Sequence, residues 1–146
     1  MERVALPGAE DLDEVVEAVC AEAGLVDEAE LVGQMARRCL DSEVFHRALA
    51  SDGWHREVPF TVMRNGGYGT GRVDLVYRTG DELVVVDFKT DDVSGDKAVH
   101  EAFTLENHAG QAEVYGEALA AATGVFVREV VFFYCRTGVE VSVRTA

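Results

Sequence analysis

The chain has 146 residues, an apolar share of 48%, three cysteines and a formal charge of −14. One domain with a sizeable core fits that length. No apolar run approaches the roughly 20 residues a membrane helix needs, and the cysteines lack zinc spacing, which excludes a membrane-spanning helix and a zinc finger. The acidic charge argues against strong autonomous binding to nucleic acid, which normally leaves a basic footprint.

The charge is uneven. Residues 1–35 hold ten acids and one base, and residues 36–146 hold seventeen acids and twelve bases. The excess therefore lies mostly at the N-terminal end. No basic-then-apolar leader opens the chain, so export is not indicated. A reducing cytoplasm is expected, with Cys20 and Cys39 as reduced core residues and Cys135 partly exposed at a strand end.

Met1–Glu10 carries no periodic signal. Asp11 is expected to cap a helix with Leu12, Val15, Val16, Val19 and Cys20 on one stripe, ended by Gly24. Asp27 caps a second, with Leu31, Val32, Met35, Cys39 and Leu40 inward. Ser42 caps a short third, with Val44, Phe45, Ala48 and Leu49. Ser51-Asp52-Gly53 is a turn. Trp54–Met63 alternates as a strand, and Pro59 assigns it to an edge or a bulge. Asn65-Gly66-Gly67 is a hairpin loop leading into Tyr68–Gly71. This glycine-rich stretch joins two strands and opens no helix, so it is not a phosphate loop.

Gly71–Asp91 organises the rest. Two β-rich runs flank Thr79-Gly80-Asp81, a hairpin signal. A two-residue loop with Gly80 at the first central position of a II′ turn fixes the register. Thr79 then faces Glu82, Val76 faces Val85, Asp74 faces Asp87 and Arg72 faces Lys89. One face carries Val73, Leu75, Tyr77, Val84, Val86 and Phe88. The other carries Val76, Leu83 and Val85, with Arg72, Asp74, Asp87 and Lys89 at one end. Opposed carboxylates repel. Protonation of one, or exposure of both, would relieve this, and so would a divalent cation, since hard cations prefer carboxylate oxygens.

Asp91–Glu106 is polar and irregular and reads as a mobile loop holding Lys97, His100 and Phe103. His108–Thr123 reads as a helix with Ala112, Tyr115, Leu119 and Ala122 on one side, stopped by Gly124. Gln111 and Tyr115, at i and i+4, share a face. Arg128–Cys135 and Val139–Arg144 read as strands around a Thr137-Gly138 turn. Helices, three strands, a helix and two strands fit an α+β or mixed α/β fold.

The ordered set GRVD, VVDFKTD and Gln111-Ala-Glu-Val-Tyr115 resembles the PD-(D/E)XK nucleases, and within them the RecB-like branch that ends UvrD-, AddA- and RecB-type helicase-nucleases. The resemblance implies a restriction-endonuclease-like core, with a central mixed sheet of four or five strands and helices on both faces. It implies one domain over 1–146, with a helical part at 1–52 and a nuclease core at 53–146. It implies a DNA nuclease using Mg²⁺ or Mn²⁺, held by Asp74, Asp87 and the backbone carbonyl of Phe88, with Lys89 as the catalytic lysine. Gln111 and Tyr115 would support DNA or the site. Arg72 would touch a phosphate or form a surface ion pair. Glu57, in Arg56-Glu-Val-Pro-Phe60, matches a recurrent segment of the branch, with a structural salt bridge as its default role. The branch's metal-binding His would fall before Met1, and His46, His55, His100 and His108 lack its context. Implied partners are DNA, helicase motor domains and a second helicase-nuclease subunit. The alternative is an inactive domain of the same fold that guides single-stranded DNA or braces a subunit.

Overall fold

A computed structural model describes residues 29–145. The helix expected from Asp11 and the Asp27 cap lie outside the described residues. Helix α1 (Ala29–Asp41) buries Met35 and Cys39 and packs Leu31, Val32 and Leu40 on the same cluster. The Ser42 hydroxyl accepts the Phe45 N–H at 3.2 Å, the N-cap bond that satisfies a first-turn donor. It starts α2 (Glu43–Leu49), which buries Val44, Phe45 and Ala48.

Five strands follow: β1 (Gly53–Arg64), β2 (Gly67–Thr79), β3 (Glu82–Lys89), β4 (Val127–Tyr134) and β5 (Val139–Arg144). They lie in the order β1-β2-β3-β4-β5, with β3–β4 parallel and the other pairs antiparallel. The parallel pair needs a crossover, supplied by α3 (Lys97–Asn107) and α4 (Ala109–Thr123). Helices α1 and α2 pack on one core cluster with Trp54, Leu75, Val84 and Phe133. Ala112, Tyr115 and Leu119 of α4 pack on the other, with Val76, Val85, Val130 and Phe132. This is a mixed α/β sheet with helices on both faces, consistent with a restriction-endonuclease-like fold.

The β2–β3 register is the expected one, with Thr79 paired to Glu82 and Val76 to Val85. Gly80 has φ +61, whereas Asp81 is not among the positive-φ residues, the sign pattern of a II′ turn. A Cβ on Gly80 would meet nothing within 4 Å, so only backbone strain opposes a side chain. Gly80→Ala is therefore expected to cost about 1 kcal/mol or more in urea unfolding; unchanged stability would contradict this turn.

Asn65 and Gly66 form the other hairpin turn, and Gly67 already belongs to β2. The glycine-rich stretch is strand. The Phe60 ring lies over Gly71, where a Cβ would come within 2.7 Å of it. Pro59 sits in β1, an edge strand, as its missing N–H requires.

Four expectations are corrected. Val73 does not share a cluster with Leu75. It packs with Val58 and Val76 on the α4 side. The β1–β2 ladder skips Glu57 and Asp74, and Glu57 has φ +51, so the alternation breaks there. Second, Asp91–Glu106 is not an irregular loop, because most of it is α3. Asp96 caps that helix by accepting the Val99 N–H at 3.1 Å. Its inward residues are His100 and Thr104, so no apolar stripe marks it. They are satisfied instead by polar partners: His100 Nε2 lies 2.9 Å from the Thr137 hydroxyl, and Thr104 bonds the Tyr134 hydroxyl at 2.6 Å. Third, Cys135 is fully buried, its Sγ 3.6 Å from that of Cys39, because α1 covers the end of β4. Fourth, Ala122 is exposed, whereas Gly116 and Ala118 are buried on α4.

Candidate active site

The β2–β3 ladder ends at Leu75–Val86, so Asp74 and Asp87 are the first positions beyond it. The Asp74 carboxylate takes over as partner, and its Oδ2 accepts the Phe88 N–H at 2.8 Å. The two acids are thus not a ladder pair, yet both flank one strand end. In β3, Val84, Val86 and Phe88 face the α1 cluster, which turns Val85, Asp87 and Lys89 toward α4.

There a closed circuit of polar contacts forms. Lys89 Nζ lies 3.1 Å from Asp87 Oδ2 and donates to Gln111 Oε1 at 2.7 Å. Gln111 Nε2 donates to the Tyr115 hydroxyl at 2.6 Å, and that hydroxyl donates to Asp87 Oδ2 at 3.3 Å. The side chains of Asp87 and Lys89 are only 8% and 16% exposed. Burial, then the charges of Asp87 and Asp74, push the Tyr115 phenol well above its ordinary value. The phenol stays neutral and donates. Phe60 of β1 holds its ring edge-on at 5.5 Å.

Arg72 does not face Lys89. The β2–β3 ladder stops short of it, and Arg72 pairs with Pro59 of β1. Its guanidinium lies 3.9 Å from Glu57, the ion pair offered above as one reading of each residue.

Among the described residues, no three His, Cys, Asp or Glu side chains converge as a metal cage. Asp74 and Asp87 are a two-carboxylate set, and Mg²⁺-type ions need no more, since they keep several waters. A third oxygen lies on the same side of β3. The carbonyl of Lys89 accepts the Cys135 N–H on the β4 side. Carbonyls of successive strand residues point to opposite sides, so that of Phe88 points to the β2 side, where Asp74 bonds its N–H. These hard oxygen donors fit a divalent cation of the Mg²⁺ class.

A family model described as the PD-(D/E)XK nuclease superfamily matches residues 2–143. The chain belongs to the PD-(D/E)XK nuclease superfamily. No curated protein matches it. Among solved structures, it is similar to a protein of Eubacterium rectale described as a "putative exonuclease", at 11% identity and a TM-score of 0.50. The match covers 100% of this chain and 61% of that one, and at such identity it speaks for the fold alone. Among the described residues of this superfamily member, no helix is long and apolar enough to cross a membrane.

The sequence reading missed two residues beside the circuit. His108 Nε2 lies 2.8 Å from Asp91 Oδ2, and its ring stacks on Phe132. Spacing held a signal for both: Asp91 continues the alternation of Asp87 and Lys89, and His108 precedes Gln111 by one helical turn. Within the circuit, Tyr115→Phe deletes the hydroxyl that joins Gln111 to Asp87. We expect a loss of about 10-fold in metal affinity or cleavage and about 1 kcal/mol in stability, read by calorimetry and urea unfolding. Metal affinity and cleavage both unchanged would remove Tyr115 from the site.

Proposed function

We propose that this chain is a DNA nuclease domain of a helicase-nuclease, hydrolysing phosphodiesters with Mg²⁺ or Mn²⁺ in DNA end processing and recombinational repair. One observation carries the reading. Asp87, Lys89, Gln111 and Tyr115 close a single polar circuit beside Asp74 at one strand end. Asp74, Asp87 and the Phe88 carbonyl would hold the cation. When bound, it would supply charge relief on a phosphoryl oxygen and make water nucleophilic near neutral pH.

The chain's own groups do the rest. Lys89 orients the attacking water or donates to the phosphoryl oxygen as negative charge develops. Gln111 and Tyr115 keep the ammonium and Asp87 in place. Helicase motor domains of a longer cytoplasmic polypeptide would deliver the strand, which answers the weak DNA affinity expected at a charge of −14. That same charge favours a second reading, in which the fold guides single-stranded DNA or braces a second subunit without cutting.

Mn²⁺ titration by calorimetry, paired with cleavage of single- and double-stranded DNA by a longer polypeptide containing this chain, separates the two. Metal binding with DNA cleavage supports the nuclease. Metal binding with intact DNA supports the scaffold. No metal binding removes the basis of the first reading.

A further inference from the structure

Helix α4 carries Gln111 and Tyr115, so the placement of its first turn sets where Lys89 finds its partner. No side chain caps that helix. His108, at the N-cap position, instead directs its imidazole to Asp91, just past the end of β3, with Nε2 donating to Oδ2 at 2.8 Å. The ring lies nearly parallel to Phe132, at 22° and 5.6 Å. Lys89 Nζ sits 5.7 Å from the centroid of the same Phe132 ring. The His108 backbone is fixed as well, its N–H donating to Thr104 and its carbonyl accepting from Ala112. Arg136 Nε anchors the intervening Thr90 carbonyl at 2.7 Å.

We propose that Asp91 and His108 are positioning residues of the site. Their bond ties the start of α4 to the end of β3, and the stacked imidazole sets the Phe132 ring against which the Lys89 ammonium rests. The carboxylates Asp74 and Asp87 depend on this tie only through the Tyr115 hydroxyl, two helical turns beyond His108. Their strands are joined by the β2–β3 ladder and by the Asp74–Phe88 bond. Loss of the pair therefore misplaces the lysine and spares the metal ligands. Groups that orient a functional side chain from behind typically matter 10–100-fold, and small misplacements of a reacting group are costly.

The kinetic half of this proposal rests on the nuclease reading, so the test has a second half that does not. His108→Ala, Asp91→Ala and Asp91→Asn are made in the longer polypeptide that contains this chain. Asp91→Asn keeps a carbonyl acceptor for Nε2. Three quantities are read: kcat and KM for DNA cleavage, Mn²⁺ affinity by calorimetry, and the rate at which acetic anhydride acetylates Lys89, followed by mass spectrometry. The two alanine variants are expected to lower kcat about 10–100-fold, leave KM within twofold, keep Mn²⁺ affinity at or above that of the unmutated protein because a displaced lysine competes less for Asp87, and speed Lys89 acetylation several-fold. Asp91→Asn should recover most of the kcat, and the His108→Ala/Asp91→Ala double variant should be no worse than either single one. Unchanged acetylation in both alanine variants would overturn the proposal. So would a fall in Mn²⁺ affinity parallel to that in kcat, since the pair would then be holding the whole fold. If the unmutated protein binds Mn²⁺ but cuts no DNA, the nuclease reading fails by itself, and the acetylation rates still decide the role of the pair.

Discussion

Asp87→Asn is expected to abolish cleavage while leaving the fold in place. Its carboxylate is almost fully buried, contacts both Lys89 and Tyr115, and is the better enclosed of the two acids. The amide is nearly the same size and can still accept from Tyr115, so packing survives. What disappears is the charge that attracts the cation. Removing a single preorganised electrostatic group at such a site costs about 10²–10³ in rate, and a metal ligand should cost at least that. The clean readout is thermal. A ligand at a hundredfold excess over its Kd stabilises the folded state by about 2.7 kcal/mol, several degrees in Tm for a domain of this size. Saturating Mn²⁺ should raise the Tm of the unmutated chain by that amount and leave Asp87→Asn unmoved. An equal rise in both proteins would place the cation elsewhere.

Lys89→Met has the opposite signature. Without metal, Lys89 is the cation of the circuit, 3.1 Å from a buried carboxylate. Deleting it leaves Asp87 uncompensated beside Asp74. Breaking a well-buried pair in this way costs 3–5 kcal/mol, and partial access to water puts this one at about 2–3 kcal/mol. The same deletion removes the group that competes with a metal for Asp87. Mn²⁺ should therefore bind the variant more tightly, by about tenfold, the factor that 1.4 kcal/mol of relieved competition produces, and should restore most of the lost stability. Cleavage should stay down by about 10²–10⁴, the usual share of a proton-handling group. Calorimetry and urea unfolding with and without Mn²⁺ decide it. Weaker Mn²⁺ binding in Lys89→Met would mean that the lysine helps to build the cation site and does not compete for it.

The central hairpin was legible because its signals are local. Gly80 dictates the turn, the turn dictates the register, and alternation places Asp87 and Lys89 on one face. That Gln111 and Tyr115 share a face was legible for the same reason, through the i, i+4 geometry of one helix; that this face turns toward Asp87 and Lys89 was implied only by the resemblance. Helix α3 was not, since its buried positions are polar. His100 and Thr104 tolerate burial only because Thr137 and Tyr134, distant in sequence, satisfy them.

By itself the sequence determined which side chains share a face wherever an element keeps its regular period, because that period depends on nearest neighbours alone; it failed at Val73, where the β1–β2 ladder skips Asp74. Only the tertiary structure decided what those faces meet. It parted β2 from β3 at Asp74, turned Arg72 toward Glu57, buried Cys135 beneath α1, and brought His108 onto Asp91. Each of these rests on the packing of separate elements, where a bond or an ion pair forms only after the chain has closed the distance between residues that no local pattern links.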